Sequence, residues 1–236
     1  MDKVINQLDF LQTHIDALYT SDLNTDLLTV NEPWDNSEPA SKFFLGRTFD
    51  GHHVSKFRFD IPDEIREKIN ALCQKEPKNI KANPQYLGKY LGLLKDNDFS
   101  ISLCYYIPQD FIGNNGSTIV SHITRNNIDT LDYEGFSWLT KEIDYVQPCI
   151  GAIVDNKIVS LCYSVRISSK AYEAGVDTLE EFRGNGYALD VVAAWASAVR
   201  AKGILPLYST LIENAASQRV AQKAGLYNYG IGFAVE

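Results

Sequence analysis

The stretch EEFRGNGYALDVVAAW, Glu180 to Trp195, places a glycine-rich turn between two segments of different period. Upstream, AYEAGVDTL (Ala171 to Leu179) reads as an extended strand. Downstream, Ala188, Val192, Trp195 and Val199 recur at steps of four, three and four, the apolar stripe of a helix that Gly203 can end. Glycines let a backbone turn tightly and approach a ligand, and the first N–H groups of a helix have no partners within it. Arg183-Gly184-Asn185-Gly186 is therefore a candidate anion cradle.

The segments around this unit read as an α+β protein. Residues 3–20 carry Val4, Leu8, Leu11, Ile15 and Leu18 on one side of an expected helix, and a polar surface connection follows at Asn31 to Ser41. Lys42 to Asp60 reads as an aromatic-rich hairpin around Asp50-Gly51. Pro62 opens a helix, a second helix covers Gln85 to Leu94, and Ile101 to Ile107 is a strand. The Pro-, Gly- and Asn-rich Pro108 to Thr118 marks a boundary. Residues 1–115 are expected as an N-terminal extension of helices and a hairpin, with 116–236 the main domain. In the latter, Ile119 to Ile123 reads as a strand, Asn126 to Ile143 as a helix, and Cys149 to Ile167 as a hairpin around Asp155-Asn156. A strand at Leu205 to Thr210, a helix capped by Asn214 and ended by Gly225, and extended pieces to Val235 complete the pattern.

Composition narrows the function. The 236 residues are 45% hydrophobic and 22% charged, and the net charge of −8 argues against nucleic-acid binding. The N-terminal residues carry Asp9 and Asp16 and no apolar signal region, and no apolar run is long enough for a bilayer, so a cytoplasmic protein without membrane contact is expected. Cys73, Cys104, Cys149 and Cys162 lack metal spacing and read as buried thiols. His52-His53 reads as a solvated pair in a turn, and no metal is expected.

Two phosphate motifs fail at the turn. Gly186 is followed by Tyr187 and Ala188 rather than Lys and Ser/Thr, which excludes a P-loop, and the third glycine of a dinucleotide fingerprint is replaced by Leu189. What stands is R-x-x-G-x-A, Arg183 to Ala188, followed after a strand by N-x-x-S-x-x-V-A-x-K-x-G, Asn214 to Gly225. Over residues 117–236 the chain resembles the GNAT N-acetyltransferase superfamily. EAGVDTLEEFRGNGYA with PLYSTLIENAAS is similar to bacterial members that carry an extra N-terminal segment.

The resemblance implies a mixed, mostly antiparallel sheet flanked by helices, with acetyl-CoA as cosubstrate. It assigns Arg183, Gly184, Asn185, Gly186, Tyr187, Ala188 and Leu189 to the pyrophosphate turn, and Asn214 and Ser217 to the helix beside the pantetheine arm. Val176, Asp177 and Thr178 would align the acyl-pantetheine through main-chain groups, on a strand splayed from its neighbour, and stabilise the oxyanion formed by amine attack. The base is open. Glu173 is the first candidate and Asp177 the alternative, but the family's strand glutamate falls at Tyr172 by position, so Glu173 would point to the other face unless a bulge shifts it. A further family glutamate position is Ser209 here. The family's proton-donating tyrosine falls at Ala221, leaving Tyr208 on the preceding strand as a weaker candidate. The expectation is acetyl transfer to a small-molecule or peptide amine, with the acceptor site walled partly by the first half. A non-catalytic acyl-CoA-binding or sensing protein is the alternative.

Overall fold

Caps and apolar spacing set the first elements. In the computed structural model, which describes residues 6–35, 37–114 and 118–236, Asn6 caps α1 (Gln7–Leu18) by accepting from Asp9 N at 2.7 Å. The junction expected at 115/116 lies outside these residues. Phe10, Leu11, Ile15 and Ala17 turn the buried side of α1 inward. A small antiparallel pair follows, β1 (Tyr19–Ser21) with β2 (Leu27–Val30), which the sequence reading did not place. The hairpin of β3 (Phe43–Thr48) and β4 (His53–Phe57) turns at Gly51, whose φ of +91° suits glycine. Then come α2 (Asp63–Cys73), opened by Pro62, α3 (Leu87–Leu94), β5 (Phe99–Tyr106) and β6 (Ile119–His122).

The helix expected over Asn126 to Ile143 is not continuous. Two 3₁₀ turns, Ile128–Thr130 and Glu134–Phe136, precede a single α-turn, α4 (Leu139–Glu142). Ile128, Phe136, Leu139 and Ile143 are buried, so the segment packs on the core through turns of another pitch. β7 (Ile150–Val154) and β8 (Lys157–Ile167) form a hairpin through Asp155 and Asn156, at φ +48° and +66°. β9 (Ala171–Thr178), α5 (Tyr187–Ala201), β10 (Leu205–Leu211), α6 (Ala215–Lys223) and β11 (Tyr227–Val235) complete the chain.

Nine strands form one sheet in the order β4-β3-β11-β5-β10-β9-β8-β7-β6. Every neighbouring pair is antiparallel except β9 with β10. The fold is thus α+β, with a mixed, mostly antiparallel sheet flanked by helices. The first half is not set apart from it, because β5 lies between β10 and β11 and pairs with both.

Side-chain alternation divides the sheet into two faces. Tyr105, Ala174, Tyr208 and Leu226 pack with Val191, Val192 and Trp195 of α5 and Ala221 of α6, while Ile101, Ile231 and Phe233 continue that face beneath α2 and α3. The Trp195 indole is fully buried and donates to Ser164 Oγ at 3.2 Å. The opposite face carries Phe44, Cys104, Ala171, Leu207, Tyr229 and Ala234 against α1.

Candidate active site

β9 and β10 pair only at Ala171–Leu205, Tyr172–Pro206 and Glu173–Leu207. Beyond this, β10 keeps its partner β5 and β9 keeps β8, so the two strands diverge. Val176, Asp177 and Thr178 lie in the diverging part, with no strand ladder on the β10 side. This is the splay expected from the resemblance.

At the end of β9, Leu179 leads through a 3₁₀ turn (Glu180–Phe182) into the glycine turn. Gly184 and Gly186 have φ of +87° and +89°, a region that other L-residues rarely adopt. Gly186 caps α5 without a side-chain hydrogen bond. Among the described residues, the N–H groups of Gly184, Asn185, Gly186, Tyr187 and Ala188 meet no acceptor. Five unpartnered donors at the positive end of a helix fit the negative oxygens of a pyrophosphate. The Arg183 side chain is exposed and its Nε donates to Thr178 O at 3.3 Å; it forms no ion pair with Glu180 or Glu181. Asp190, in the first turn of α5, accepts from Asn114 N at 2.8 Å and Thr118 Oγ1 at 2.7 Å. That lays the 108–114 connection over the helix start, with the Asn114 amide where a Gly186 Cβ would be.

Asn214 caps α6 as expected, accepting from Ser217 N at 3.0 Å. Ser217 Oγ lies 2.7 Å from the Tyr208 hydroxyl, which joins Tyr208 to the first turn of α6. Tyr208 is 2% exposed, and burial pushes its pKa up to about 12. Ala221 packs in the core on the same face.

Glu173 projects to the other face, as its parity demands. A bulge does occur beside it, but on β8: Ser164 pairs with Ala174 and Arg166 with Glu173, leaving Val165 extra. Glu173 is 4% exposed. Its Oε1 accepts from Ser209 Oγ at 2.5 Å and lies 3.1 Å from His14 Nε2 of α1. His14 Nδ1 in turn contacts the Tyr229 hydroxyl of β11. Burial opposes the His14 charge, but the Glu173 carboxylate and hydrogen bonds outweigh it and raise the pKa from 6.5 to about 10. Burial likewise opposes ionisation of Glu173. The His14 charge and hydrogen bond, the Ser209 hydroxyl and Arg166 overcome it and hold the carboxyl below its ordinary value. The pair is a buried imidazolium–carboxylate.

The structure therefore separates the three candidate acid–base residues. Glu173 and Ser209 meet on the α1 face, Tyr208 lies on the α5–α6 face, and Asp177 is exposed near the end of β9, accepting from Tyr163 OH at 3.0 Å. His14 and Tyr229 were not anticipated as site residues. His14 had one available signal, being a lone imidazole on the apolar side of an amphipathic helix, at i+3 from Leu11.

A cavity of about 160 Å³ adjoins this cluster on the α1 face, lined in part by His14, Ser209, Ser102, Cys104, Gly232 and Glu236. A wider one of about 730 Å³ lies along α5, against Phe111, Ile112 and Val120. The four cysteines are free and buried, and His52 is exposed, its Nδ1 3.0 Å from Asp50. No helix among the described residues is long and apolar enough to cross a membrane.

Residues 137–230, which contain the splay, both helix starts, Glu173 and Tyr229, match the family model described as GNAT acetyltransferase. Among solved structures, the chain is similar to an acetyltransferase of the GNAT family from Colwellia psychrerythraea, at 15% identity over 91% of this chain and 84% of that one, with a TM-score of 0.49. It is also similar to a GCN5-related N-acetyltransferase-like protein from Streptococcus suis, at 17% identity over 86% of each chain and a TM-score of 0.45. A GNAT-family protein from Novosphingobium aromaticivorans matches at 14% identity and a TM-score of 0.47, over 59% of this chain and 65% of that one. No curated protein sequence matches the chain. The stretch of this chain that is similar to the GNAT acetyltransferase family, residues 137–230, holds both helix starts flanking the splay.

Proposed function

We propose that the protein transfers acetyl from acetyl-CoA directly to a primary amine. The observation that carries this reading is the parting of β9 and β10, with unpartnered helix-start donors on one side and an ionised, hydrogen-bonded carboxylate on the other. In this reading the pyrophosphate lies on the N–H groups of Gly184 to Ala188. The pantetheine arm passes along Asn214 and Ser217, and the thioester enters the splay beside Val176 to Thr178.

The amine nitrogen attacks the thioester carbon, an N–C bond forms, and the C–S bond breaks. Proximity supplies much of the rate, because both reactants are held together. The proton leaving the amine passes to Ser209 Oγ as Ser209 gives its own to Glu173. A carboxylate kept ionised by His14 is always ready to accept it, though its low basicity makes the transfer depend on the positive charge developing on nitrogen. Tyr208 stays protonated at neutral pH and can hydrogen-bond the departing thiolate, which takes a proton from solvent and leaves as the CoA thiol, while Glu173 returns to solvent, by way of Ser209, the proton it gained from the amine. Four buried free thiols suit a reducing compartment, so the cytosol is the proposed location.

The test is release of free thiol from acetyl-CoA in the presence of an amine panel, beside calorimetric binding of acetyl-CoA. Binding with amine-dependent release supports the reading, and absence of binding overturns it. One observation favours a second reading, a binding or sensing protein: Ala221 occupies the family's proton-donor position and Glu173 is almost sealed from solvent. Tight binding without release for every amine selects that reading.

A further inference from the structure

On the α5–α6 and α2–α3 face, the central strands carry large side chains: Ile101, Leu103 and Tyr105 on β5, and Ile231, Phe233 and Val235 on β11. On the α1 face the same strands carry Ser100, Ser102 and Cys104, and Gly232 and Ala234. Small residues opposite large ones leave space under the roof made by Leu18, Tyr19 and Phe44, and that space is the cavity of about 160 Å³. A dry packing void would be lined by hydrocarbon alone; beside its apolar walls this one has Ser100, Ser102, Ser209, His14 and Glu236 in its lining.

The cavity has two chemically different ends. At one end Ser209 and His14 both hold Glu173, next to the point where β9 and β10 part. Glu236 marks the other, where it accepts from Ser41 Oγ at 2.9 Å and Ser100 Oγ at 3.4 Å. Lys42 donates to the main-chain oxygen of Glu236, but among the described residues no basic side chain forms an ion pair with its carboxylate. His14 and Glu173 cancel each other's charge, so the lining presents one uncompensated carboxylate.

We infer that this cavity is the acceptor pocket, and that the acceptor is a free, short aliphatic amine of amino-acid size with a cationic or hydrogen-bond-donating far end. The inference rests on the acetyl-transfer reading for the role of the bound amine. The reacting nitrogen sits at Ser209, where its proton has a path to Glu173, and the far end sits at Glu236. A volume of about five waters' share of the liquid, well below the ~300 Å³ of a drug-sized site, excludes a peptide or a multi-ring amine. Tyr19 and Phe44, both nearly buried, close the roof over it.

The experiment is calorimetric titration of the full chain with ethanolamine, 1,4-diaminobutane, propylamine and a tripeptide amide, without and with acetyl-CoA, followed by thiol release for each. The parent should bind the two difunctional amines, propylamine more weakly, and the tripeptide amide not at all. Ser102→Leu, which fills the cavity, should weaken both difunctional amines by about tenfold or more while acetyl-CoA affinity holds. Glu236→Gln, nearly unchanged in shape, should weaken 1,4-diaminobutane toward the level of propylamine, and it carries the test if Ser102→Leu does not fold. Binding of no short amine, equal binding of the tripeptide amide, or indifference of the amines to Glu236→Gln and to a folded Ser102→Leu would overturn the pocket; the cavity would then hold only water. Amine binding that follows these variants without thiol release would uphold the pocket and overturn acetyl transfer instead.

Discussion

On the α5–α6 face of β9 and β10, the groups that the proposed function uses are main-chain N–H groups at Gly184 to Ala188, aligned by two left-handed glycines and a helix start. On the α1 face they are the side chains of Glu173, Ser209, His14 and Tyr229, drawn from three strands and one distant helix. The first face depends on backbone conformation, which a contiguous motif specifies. The second depends on burial and mutual hydrogen bonding among residues up to 215 positions apart. Substitutions should therefore fail differently on the two faces: the first should lose ligand and keep chemistry-independent stability, the second should lose rate and stability together.

The largest effect is expected at Gly186. Gly186→Val forces a β-branched residue to φ near +89° and against Asn114, and should abolish acetyl-CoA binding. In the parent, acetyl-CoA at ~100 times its dissociation constant should raise stability by about 2.7 kcal/mol, and this shift should vanish in the variant. A folded Gly186→Val that keeps the shift would reduce the turn to a structural role.

Glu173→Gln comes next. It should lower kcat/KM by about 10²- to 10⁴-fold with acetyl-CoA affinity unchanged, because in the proposed mechanism the carboxylate takes up the acceptor's proton. Asp177→Asn, on an exposed residue of the same strand, is the control. If Asp177→Asn shows the loss and Glu173→Gln does not, the base lies at the rim of the splay and the α1-face cluster is structural.

His14→Gln leaves a buried carboxylate without its cation and should destabilise the fold by about 3–5 kcal/mol near pH 6. Its pH dependence sharpens the comparison. The His14 pKa is raised from 6.5 to about 10, so its contribution is complete below 6.5 and disappears as pH rises toward 10. The Glu173 pKa is lowered, so its contribution is present above the ordinary carboxylate range and is lost on acidification through the lowered value. Urea unfolding of the parent should thus show stability falling from pH 6.5 to 10 more steeply than in His14→Gln. Parallel profiles would mean that His14 is neutral in the folded protein. The smallest effect is Asn214→Ala, which removes a cap and should cost about 1 kcal/mol with a modest loss of cofactor affinity.

The same contrast explains what could be read from the chain. The glycine turn and the Asn214 cap lie within about fifty residues and involve local rules of turn and helix start, so their spacing was informative, whereas the divergence of β9 was implied only by the family resemblance. Glu173 was legible as a carboxylate and its facing was legible by parity, but its partners were not. Nothing local links His14 to residue 173, because the link is made by α1 packing across a sheet whose order brings β3 beside β11. β1 and β2 escaped notice because they are three and four residues long. The stretch after Asn126 has helix-like apolar spacing, and 3₁₀ turns bury the same residues with a different pitch.

The position of β5 bears on how the chain is made. Its two neighbours in the sheet, β10 and β11, begin about a hundred residues after it ends, and β3 must wait for β11 as well. During synthesis, β3 and β5 therefore emerge long before the strands that cover their edges, with Phe43, Leu45 and Ile101 already in place to attract other chains. Pairings of such long sequence separation close slowly. A nascent chain halted before residue 205 lacks both partners of its central strand, and it is at that length that assistance from a chaperone would matter most.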